Sequence, residues 1–207
     1  MAELGDRTAK EGGAYHHGDL RRALVAAGRA TLERDGLDKL SLRGAARAAG
    51  VSQSAPYHHF ADKTALLSAI AADGFRDFGA AMQTRMGAGA TPRDRLIGAG
   101  VAYVRFAHDN PALFRLMFSA HGWSEDEERA AAGDAAYRAF ENAMRASMQA
   151  RGDTENADIR CLAAWSQVHG LAKLVVELGV TPVEYGCGTL EELAEKVLTS
   201  ASATEPS

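Results

Sequence analysis

Apolar residues recur three or four positions apart through most of the chain, and glycines, prolines or capping residues separate the apolar runs. The first run, within residues 15–36, predicts a long helix whose apolar stripe is Leu20, Leu24, Ala27, Ala30, Thr31 and Leu32. No segment alternates between apolar and polar residues as a half-buried strand does. The 207 residues are 46% hydrophobic and include only five prolines, so helices with a substantial core are expected.

Residues 40–63, with the sequence LSLRGAARAAGVSQSAPYHHFADK, predict two short helices joined by a tight turn. Ser41 is placed to cap the first helix and Ser52 the second. Gly50 ends the first helix because glycine adopts a positive φ without the steric cost of a Cβ. Asp62 caps a further helix that begins at Lys63. This is the layout of a helix-turn-helix, whose second helix enters the DNA major groove, although an ordinary αα-hairpin has the same pattern.

The helix from Lys63 meets no strong breaker before the loop MGAGATPRD, which we take as a domain boundary. Further helices are predicted over 92–108, 113–118, a stretch that ends near 152, 153–178 and 190–198. The predicted fold is all-α, with an N-terminal three-helix helix-turn-helix DNA-binding domain and a C-terminal helical ligand-binding and dimerisation domain. The predicted divisions are a disordered arm (1–14), the helix-turn-helix domain (15–61), a connecting helix (62–86), the regulatory and dimerisation domain (87–200) and a disordered tail (201–207).

The helix over residues 153–178 is apolar on most of its circumference. Such a helix must be covered on most sides, so we expect one face to meet the chain's own helices and another to meet a second subunit. Two helices per chain, docked on their equivalents, would form a four-helix bundle at a two-fold axis. The dimer-interface candidates are Cys161, Ala164, Val168, Leu171, Val175, Leu190, Leu193 and Val197.

The net charge of −4 is unevenly distributed along the chain. Residues 1–63 carry 10 Lys and Arg against 8 Asp and Glu, whereas residues 64–207 carry 13 against 19. The acidic remainder does not exclude DNA binding, because phosphates respond to the local field of the docking face. Two cysteines set up no disulfide framework, and neither a secretory leader nor an apolar run of membrane-spanning length is visible. We therefore predict a soluble cytoplasmic protein without a membrane partner.

Three motifs together resemble the tetracycline-repressor (TetR) family of dimeric, ligand-responsive transcription regulators. They are YHHGDLRRAL, DGLDKLSLRGAARAAGVS and APYHHFADKTALL, and they cover roughly residues 15–75. The later half looks like one C-terminal class of that family, on the segment PALFRLMF and the W-x-x-x-H-G pattern at Trp165, His169 and Gly170. The resemblance implies a homodimer on a palindromic double-stranded DNA operator, with repression relieved by an unknown small-molecule effector.

The resemblance also implies which residues of the hairpin contact DNA. Hydroxyl groups, a cation and helix N-termini bind the phosphate backbone, and an amide such as that of Gln53 pairs with adenine at two atoms. Pro56, the residue before Tyr57, departs from the family pattern, and proline disturbs helix geometry. The predicted DNA-binding set is Ser41, Arg43, Ser52, Gln53, Ser54, Tyr57, His58 and Lys63.

Aromatic and methionine side chains of the middle helices are disposed to line a ligand cavity, although the same residues suit a plain core. The pocket candidates are Tyr103, Phe106, Phe114, Met117, Phe118, Tyr137, Phe140, Met144, Trp165 and His169. For Trp165 and His169, one helical turn apart, both a pocket wall and a core position remain open. His108, His121 and His169 lack close ligand spacing, so neither a metal nor another cofactor is predicted.

A helical enzyme or small-molecule-binding protein, in which the hairpin is only architectural, is the alternative class. Such an enzyme needs a convergent acid, base or nucleophile set, and the sequence shows no nucleophile elbow, phosphate loop or paired carboxylates near a histidine. We therefore predict that the protein is not an enzyme.

Overall fold

The computed structural model describes residues 17–119 and 126–200 of the chain. Over these residues it has eight α-helices and no strand, which confirms the predicted all-α fold. The helices are α1 (His17–Asp35), α2 (Leu42–Ala48), α3 (Lys63–Gly87), α4 (Pro92–Asp109), α5 (Pro111–Met117), α6 (Glu127–Ala150), α7 (Ala157–Leu178) and α8 (Leu190–Ser200). Short 3₁₀ turns occupy Leu37–Lys39, Ala55–His58 and Pro182–Tyr185. The predicted arm (1–14), the predicted tail (201–207) and His121 lie outside the described residues.

Capping residues set the start of several helices, as their sequence positions predict. Ser41 Oγ accepts a hydrogen bond from the Gly44 amide at 3.1 Å, and Asp62 Oδ1 accepts one from the Ala65 amide at 2.9 Å. Each cap satisfies an amide of the first turn that has no partner within the helix. Gly50 has a φ of +70°, so the chain turns between α2 and the next segment in a conformation that favours glycine.

The second helix of the hairpin is a single 3₁₀ turn, Ala55–His58, and this corrects the prediction of a helix capped by Ser52. Its hydrogen bonds join residues three apart: the Ala55 amide donates to Ser52 O, and the Tyr57 amide donates to Ser54 O. Pro56 explains the difference, because it has no amide proton and its ring collides with the carbonyl four residues earlier in an α-helix. Pro56 is itself buried, so its ring anchors the turn.

Helix α7 begins at Ala157, four residues later than the sequence predicts. Residues 153–156 precede the helix, and Asn156 has a φ of +52° in the left-handed region. The Asn156 carbonyl accepts a hydrogen bond from the Arg160 amide in the first turn of α7. Asparagine tolerates this conformation better than most side chains, so the start of α7 is set locally.

Helix α3 is the central element and contacts α1, α4, α5 and α6. Its side chains Leu66 and Ile70 are fully buried, and Phe78 and Met82 are nearly so. One hydrophobic core includes Leu24 and Phe60 of the helix-turn-helix unit together with residues of α4 and α7. The helix-turn-helix unit and the C-terminal bundle therefore share one core, and α3 contributes to both parts of it.

The structure places the predicted interface stripe of α7 inside the subunit, which corrects that prediction. Cys161, Val168, Leu171 and Val175 are between 0% and 7% exposed, because the chain's own helices cover them. On α8, Leu190 and Leu193 are likewise buried, while Ala164 of α7 and Val197 of α8 are half-buried. Periodicity identifies an apolar stripe but not the surface that covers it. The large apolar side chains of α7 that stay exposed are Ile159, Leu162, Leu174 and Leu178.

Within the described residues, no helix has the length and apolar character that crossing a membrane requires.

Candidate nucleic-acid interface and ligand cavities

All of the predicted DNA-binding side chains are exposed. They are Ser41, Arg43, Ser52, Gln53, Ser54, Tyr57, His58 and Lys63. Tyr57 is the most informative, because its large aromatic ring is 52% exposed and so remains available to a partner outside the chain. The buried Pro56 beside it holds the 3₁₀ turn against the core, so the Tyr57 ring is directed outward from a fixed backbone.

Ser41 and Lys63 are held in place and keep donors for a further partner. Ser41 Oγ accepts from an amide of α2, which leaves its hydroxyl proton available to a phosphate oxygen. Lys63 Nζ donates to Leu37 O at 3.0 Å, and an ammonium group has three protons, so two remain. This bond also ties the start of α3 to the 3₁₀ turn that precedes α2.

Two further cations belong to this unit and were missed by the sequence prediction. Arg47 lies four residues after Arg43 on α2, so the two guanidinium groups share a helix face, and both are exposed. Lys39 is exposed at the end of the preceding 3₁₀ turn. The four-residue spacing between Arg43 and Arg47 is visible in the sequence, and this signal could have identified Arg47. Residues 37–63 carry four cations against two carboxylates, which favours a polyanion.

A polar junction joins α1 to the regulatory helices. Glu33 accepts hydrogen bonds from the amides of Leu113, at 2.8 Å, and Ala112, at 3.3 Å, in the first turn of α5. Pro111 and Asn110 precede these residues, and the Asn110 side chain makes no cap bond. Glu33 therefore supplies the cap of α5 from a residue about 80 positions earlier, a partnership that local sequence patterns do not reveal.

Arginines of α1 reinforce the same junction. Arg29 donates to Asp73 and Asp77 of α3 and, at 3.3 Å, to Asn110 Oδ1 at the end of α4. Glu128 at the start of α6 accepts from both Arg21 of α1 and Arg76 of α3. These ion pairs are largely exposed and individually weak, but together they fix the orientation of α1 relative to α3, α5 and α6.

Two cavities among the described C-terminal helices are lined by predicted pocket residues. The larger has a volume of about 530 Å³ and lies between α4, α6, α7 and α8. The smaller has a volume of about 260 Å³ and lies between α3, α4, α6 and α7. Phe140 lines both, so the two cavities adjoin at this residue. The volume of the larger cavity lies within the range of about 300–1,000 Å³ that is usual for small-molecule pockets, and that of the smaller cavity falls slightly below it.

The predicted pocket residues fall into two groups. Tyr103, Phe118, Tyr137, Phe140 and Trp165 line the smaller cavity, and Phe140 and Met144 line the larger. Phe106, Phe114, Met117 and His169 line neither cavity. Phe114 and Met117 are fully buried and Phe106 nearly so, and these three pack in the core, which corrects their assignment to the pocket wall.

His169 has a structural partner rather than a place on a cavity wall. Its Nδ1 lies 2.8 Å from the hydroxyl of Tyr103, and the Trp165 ring stacks on it at a centroid distance of 5.3 Å. Burial raises the pKa of Tyr103 and, together with the charge of Lys173, lowers the pKa of His169. Both groups are therefore neutral near pH 7, and the hydrogen bond joins α4 to α7.

The Cys161 thiol of α7 is buried. Burial raises the pKa of the Cys161 thiol, which keeps it protonated and unreactive. Among the described residues, no three His, Cys, Asp or Glu side chains lie close enough to hold a metal ion.

Two family models match the chain. Residues 24–70 match bacterial regulatory proteins of the tetR family, and residues 96–199 match the tetracyclin repressor-like C-terminal domain. A comparison with curated proteins gives no significant match.

Solved structures of the same fold include three informative neighbours. A protein with unknown function from Rhodococcus sp. RHA1 is 35% identical with a TM-score of 0.72, over 92% of this chain and 95% of that one. A bacterial regulatory protein in the tetR family from Rhodococcus RHA1 is 21% identical with a TM-score of 0.64, over 88% and 94% of the two chains. The TetR family transcriptional regulator PfmR from Thermus thermophilus is 20% identical with a TM-score of 0.63, over 85% and 94%. Because the matched models span the helix-turn-helix and the C-terminal bundle, the chain belongs to the tetR family of bacterial regulatory proteins.

Proposed function

We propose that this TetR-family transcriptional regulator works as a homodimeric repressor, which a small molecule bound among the C-terminal helices releases from a palindromic operator. The observation that carries the proposal is the shared core: α3 begins at the exposed DNA-binding surface and then lines the smaller cavity. Regulators of this family are generally not enzymes.

In the DNA complex, cationic and hydroxyl side chains contact phosphates and the amide contacts bases. Arg43, Arg47 and Lys63 supply charge, and the Tyr57 hydroxyl donates to a phosphate oxygen. Gln53 occupies the exposed turn before the 3₁₀ segment and pairs with a base edge in the major groove. A short 3₁₀ turn presents fewer side chains to the groove than an α-helix does. Phosphate contacts from α2 and α3 therefore contribute a large share of the affinity.

The second subunit docks on the exposed apolar surface of α7 and the turn that follows it. Leu174, Leu178, Val183 and Tyr185 are between 44% and 80% exposed. A groove of about 340 Å³ beside them is lined by further apolar side chains of α7 and α8, including Leu193 and Val197. A cluster of large exposed apolar groups marks an association surface. Self-association across a two-fold axis places the two DNA-binding units side by side.

Effector binding lowers operator affinity by favouring a different spacing of the two DNA-binding units. The smaller cavity contacts α3, α6 and α7, and the polar junction of Glu33, Arg29 and Glu128 connects the bundle to α1. A coupling free energy of about 1–3 kcal/mol changes operator occupancy by roughly 5- to 150-fold. A rearrangement that breaks a few of these contacts is sufficient for a coupling free energy of this size.

The test begins with selection of an operator from a random DNA pool, followed by footprinting of the purified protein. We expect a palindrome whose half-sites are one helical turn, about 34–36 Å, or a multiple of it apart. A monomeric footprint on a single asymmetric site would contradict the dimeric part of the proposal.

The dimer surface is tested by Leu174→Glu combined with Leu178→Glu, with Ala131→Glu on the exposed face of α6 as a matched control. The double variant should sediment as a monomer and bind the operator at least tenfold more weakly. The control should remain a dimer with unchanged affinity. A dimeric double variant with wild-type affinity would show that the subunits meet elsewhere.

A further inference from the structure

The side chains that line the larger cavity are cationic at one end and mostly apolar elsewhere. This arrangement indicates the chemical class of its ligand. Three arginines line it, and the lining, all of it within the described residues, contains no carboxylate. Arg93 lies in the first turn of α4, Arg151 directly follows α6, and Arg160 lies in the first turn of α7. Helices α4 and α7 start where α6 ends, so the three guanidinium groups come to the same end of the bundle.

Away from this end the wall is mostly apolar, with Ser147 of α6 and Gln167 of α7 as its polar members. Along α4 the lining passes from Arg93 to Leu96, Ile97 and Gly100, which spans about 10 Å at the helical rise of 1.5 Å per residue. Along α6 it passes from Arg151 to Met144 and Phe140, a distance of about 16 Å by the same measure. A cavity with cations at one end and a mostly apolar wall along its length matches an amphipathic anion.

Two of the three arginines keep their charge available. The Asp153 carboxylate forms an ion pair with Arg160, and this contact lowers the pKa of Asp153. Arg93 and Arg151 form no salt bridge with any described residue, although Arg151 also lowers the pKa of Asp153 through its charge. The cationic end therefore keeps an excess of positive charge that an anionic ligand would neutralise.

We propose that the effector is an amphipathic anion, with its head group bound by Arg93 and Arg151 and its apolar body lying between α4, α6 and α7. This assignment rests on the proposed function only where it calls the ligand the effector. The head group is a carboxylate or a phosphate monoester, which share the chemistry of guanidinium recognition. The apolar body supplies most of the affinity, because Arg93 and Arg151 are exposed and water screens their charges.

Phe140 marks the point at which a long tail would pass from the larger cavity toward the smaller one. A tail that fills the larger cavity reaches Phe140, which also lines the smaller cavity together with Phe75, Phe78 and Met82 of α3. A longer tail displaces the Phe140 ring and contacts α3 directly. Affinity therefore rises with tail length, by about fourfold for each methylene that becomes buried.

Isothermal titration calorimetry of the full-length protein without DNA tests the proposal with octanoate, dodecanoate, dodecyl phosphate, dodecanol and dodecyltrimethylammonium. We expect dodecanoate or dodecyl phosphate to bind at least tenfold more tightly than the alcohol and the cation. The tighter of the two anions identifies the head group. Octanoate should bind more weakly than dodecanoate.

The binding residues are tested by Arg93→Gln combined with Arg151→Gln. The matched control is Arg138→Gln, an exposed arginine of α6 that does not line the cavity. The double variant should bind the anion at least tenfold more weakly while its affinity for dodecanol is unchanged, and its melting temperature without ligand should equal that of the control. Equal affinities for the anions, the alcohol and the cation, no binding of either anion, or an unaffected double variant would each overturn the proposal. These outcomes are independent of DNA binding, so they are distinguishable from a failure of the proposed function.

Discussion

Removal of the Glu33 carboxylate perturbs the junction between the DNA-binding unit and the bundle at one defined contact. Glu33 accepts from the amides of Ala112 and Leu113 at 3.3 and 2.8 Å. No described side chain other than Glu33 caps α5, because Asn110 at the N-cap donates to Phe106 O instead. Glu33→Ala therefore leaves two amides of the first turn of α5 without their acceptor.

The expected cost follows from the value of a helix cap. Loss of an N-cap side chain costs about 0.5–2 kcal/mol. For a chain of this length, each kcal/mol lowers the melting temperature by about 2–4 °C, so Glu33→Ala should lower it by about 1–8 °C. Glu33→Gln retains one side-chain carbonyl oxygen as an acceptor, so its melting temperature should fall by less than that of Glu33→Ala. Scanning calorimetry at a fixed protein concentration measures the difference.

Hydrogen exchange followed by mass spectrometry separates a local effect from a global one. The peptide that contains Pro111–Met117 should lose protection in Glu33→Ala more than peptides of α4 or α7 do. Asp134→Asn is the control, since Asp134 is exposed on α6 and forms no salt bridge with a described residue. A melting temperature within about 1 °C of wild type, with unchanged exchange in α5, would refute the assigned role of Glu33.

Three further predictions test separate parts of the structure. Gly50→Ala places a Cβ at a φ of +70° and should cost about 1–2 kcal/mol in denaturant unfolding, and an unchanged midpoint would contradict the turn geometry. Gly74→Ala puts a Cβ 2.8 Å from Met117 Sδ and should cost about 1–3 kcal/mol, whereas Gly79→Ala on the same helix has its nearest contact at 3.7 Å and should be tolerated. Burial lowers the pKa of His169, so the unfolded chain binds more protons near pH 6 and stability falls as the pH drops from about 7.5 to about 5.5. His169→Gln should lose less stability over that range, and equal losses in both proteins would exclude His169 as a source of the acid sensitivity.

Features that depend on neighbouring residues could be predicted from the sequence. Ser41 and Asp62 cap their helices, and Gly50 turns the chain, because each effect involves residues within three or four positions. The departure at Pro56 was also visible, but its result, a 3₁₀ turn in place of an α-helix, depends on how the buried ring packs.

Features that depend on distant packing could not be predicted. Helix α7 is apolar on most of its circumference, so periodicity alone does not distinguish the buried Val168 from the exposed Leu174. Likewise, Phe114 and Phe140 have the same chemistry in sequence, yet only Phe140 lines the cavities. The Glu33 contact joins residues about 80 positions apart, and no local rule indicates it.

The salt dependence of operator binding tests the central claim, that residues 41–63 form the DNA-binding surface. Fluorescence anisotropy of the selected operator measures affinity from low to high salt for wild type, Arg43→Ala combined with Arg47→Ala, and the control Arg138→Ala. DNA binding by this surface predicts at least tenfold weaker binding for the double variant, and a log–log salt slope shallower by about 1 for each phosphate that the variant no longer neutralises. An affinity and slope equal to those of wild type and the control would contradict it.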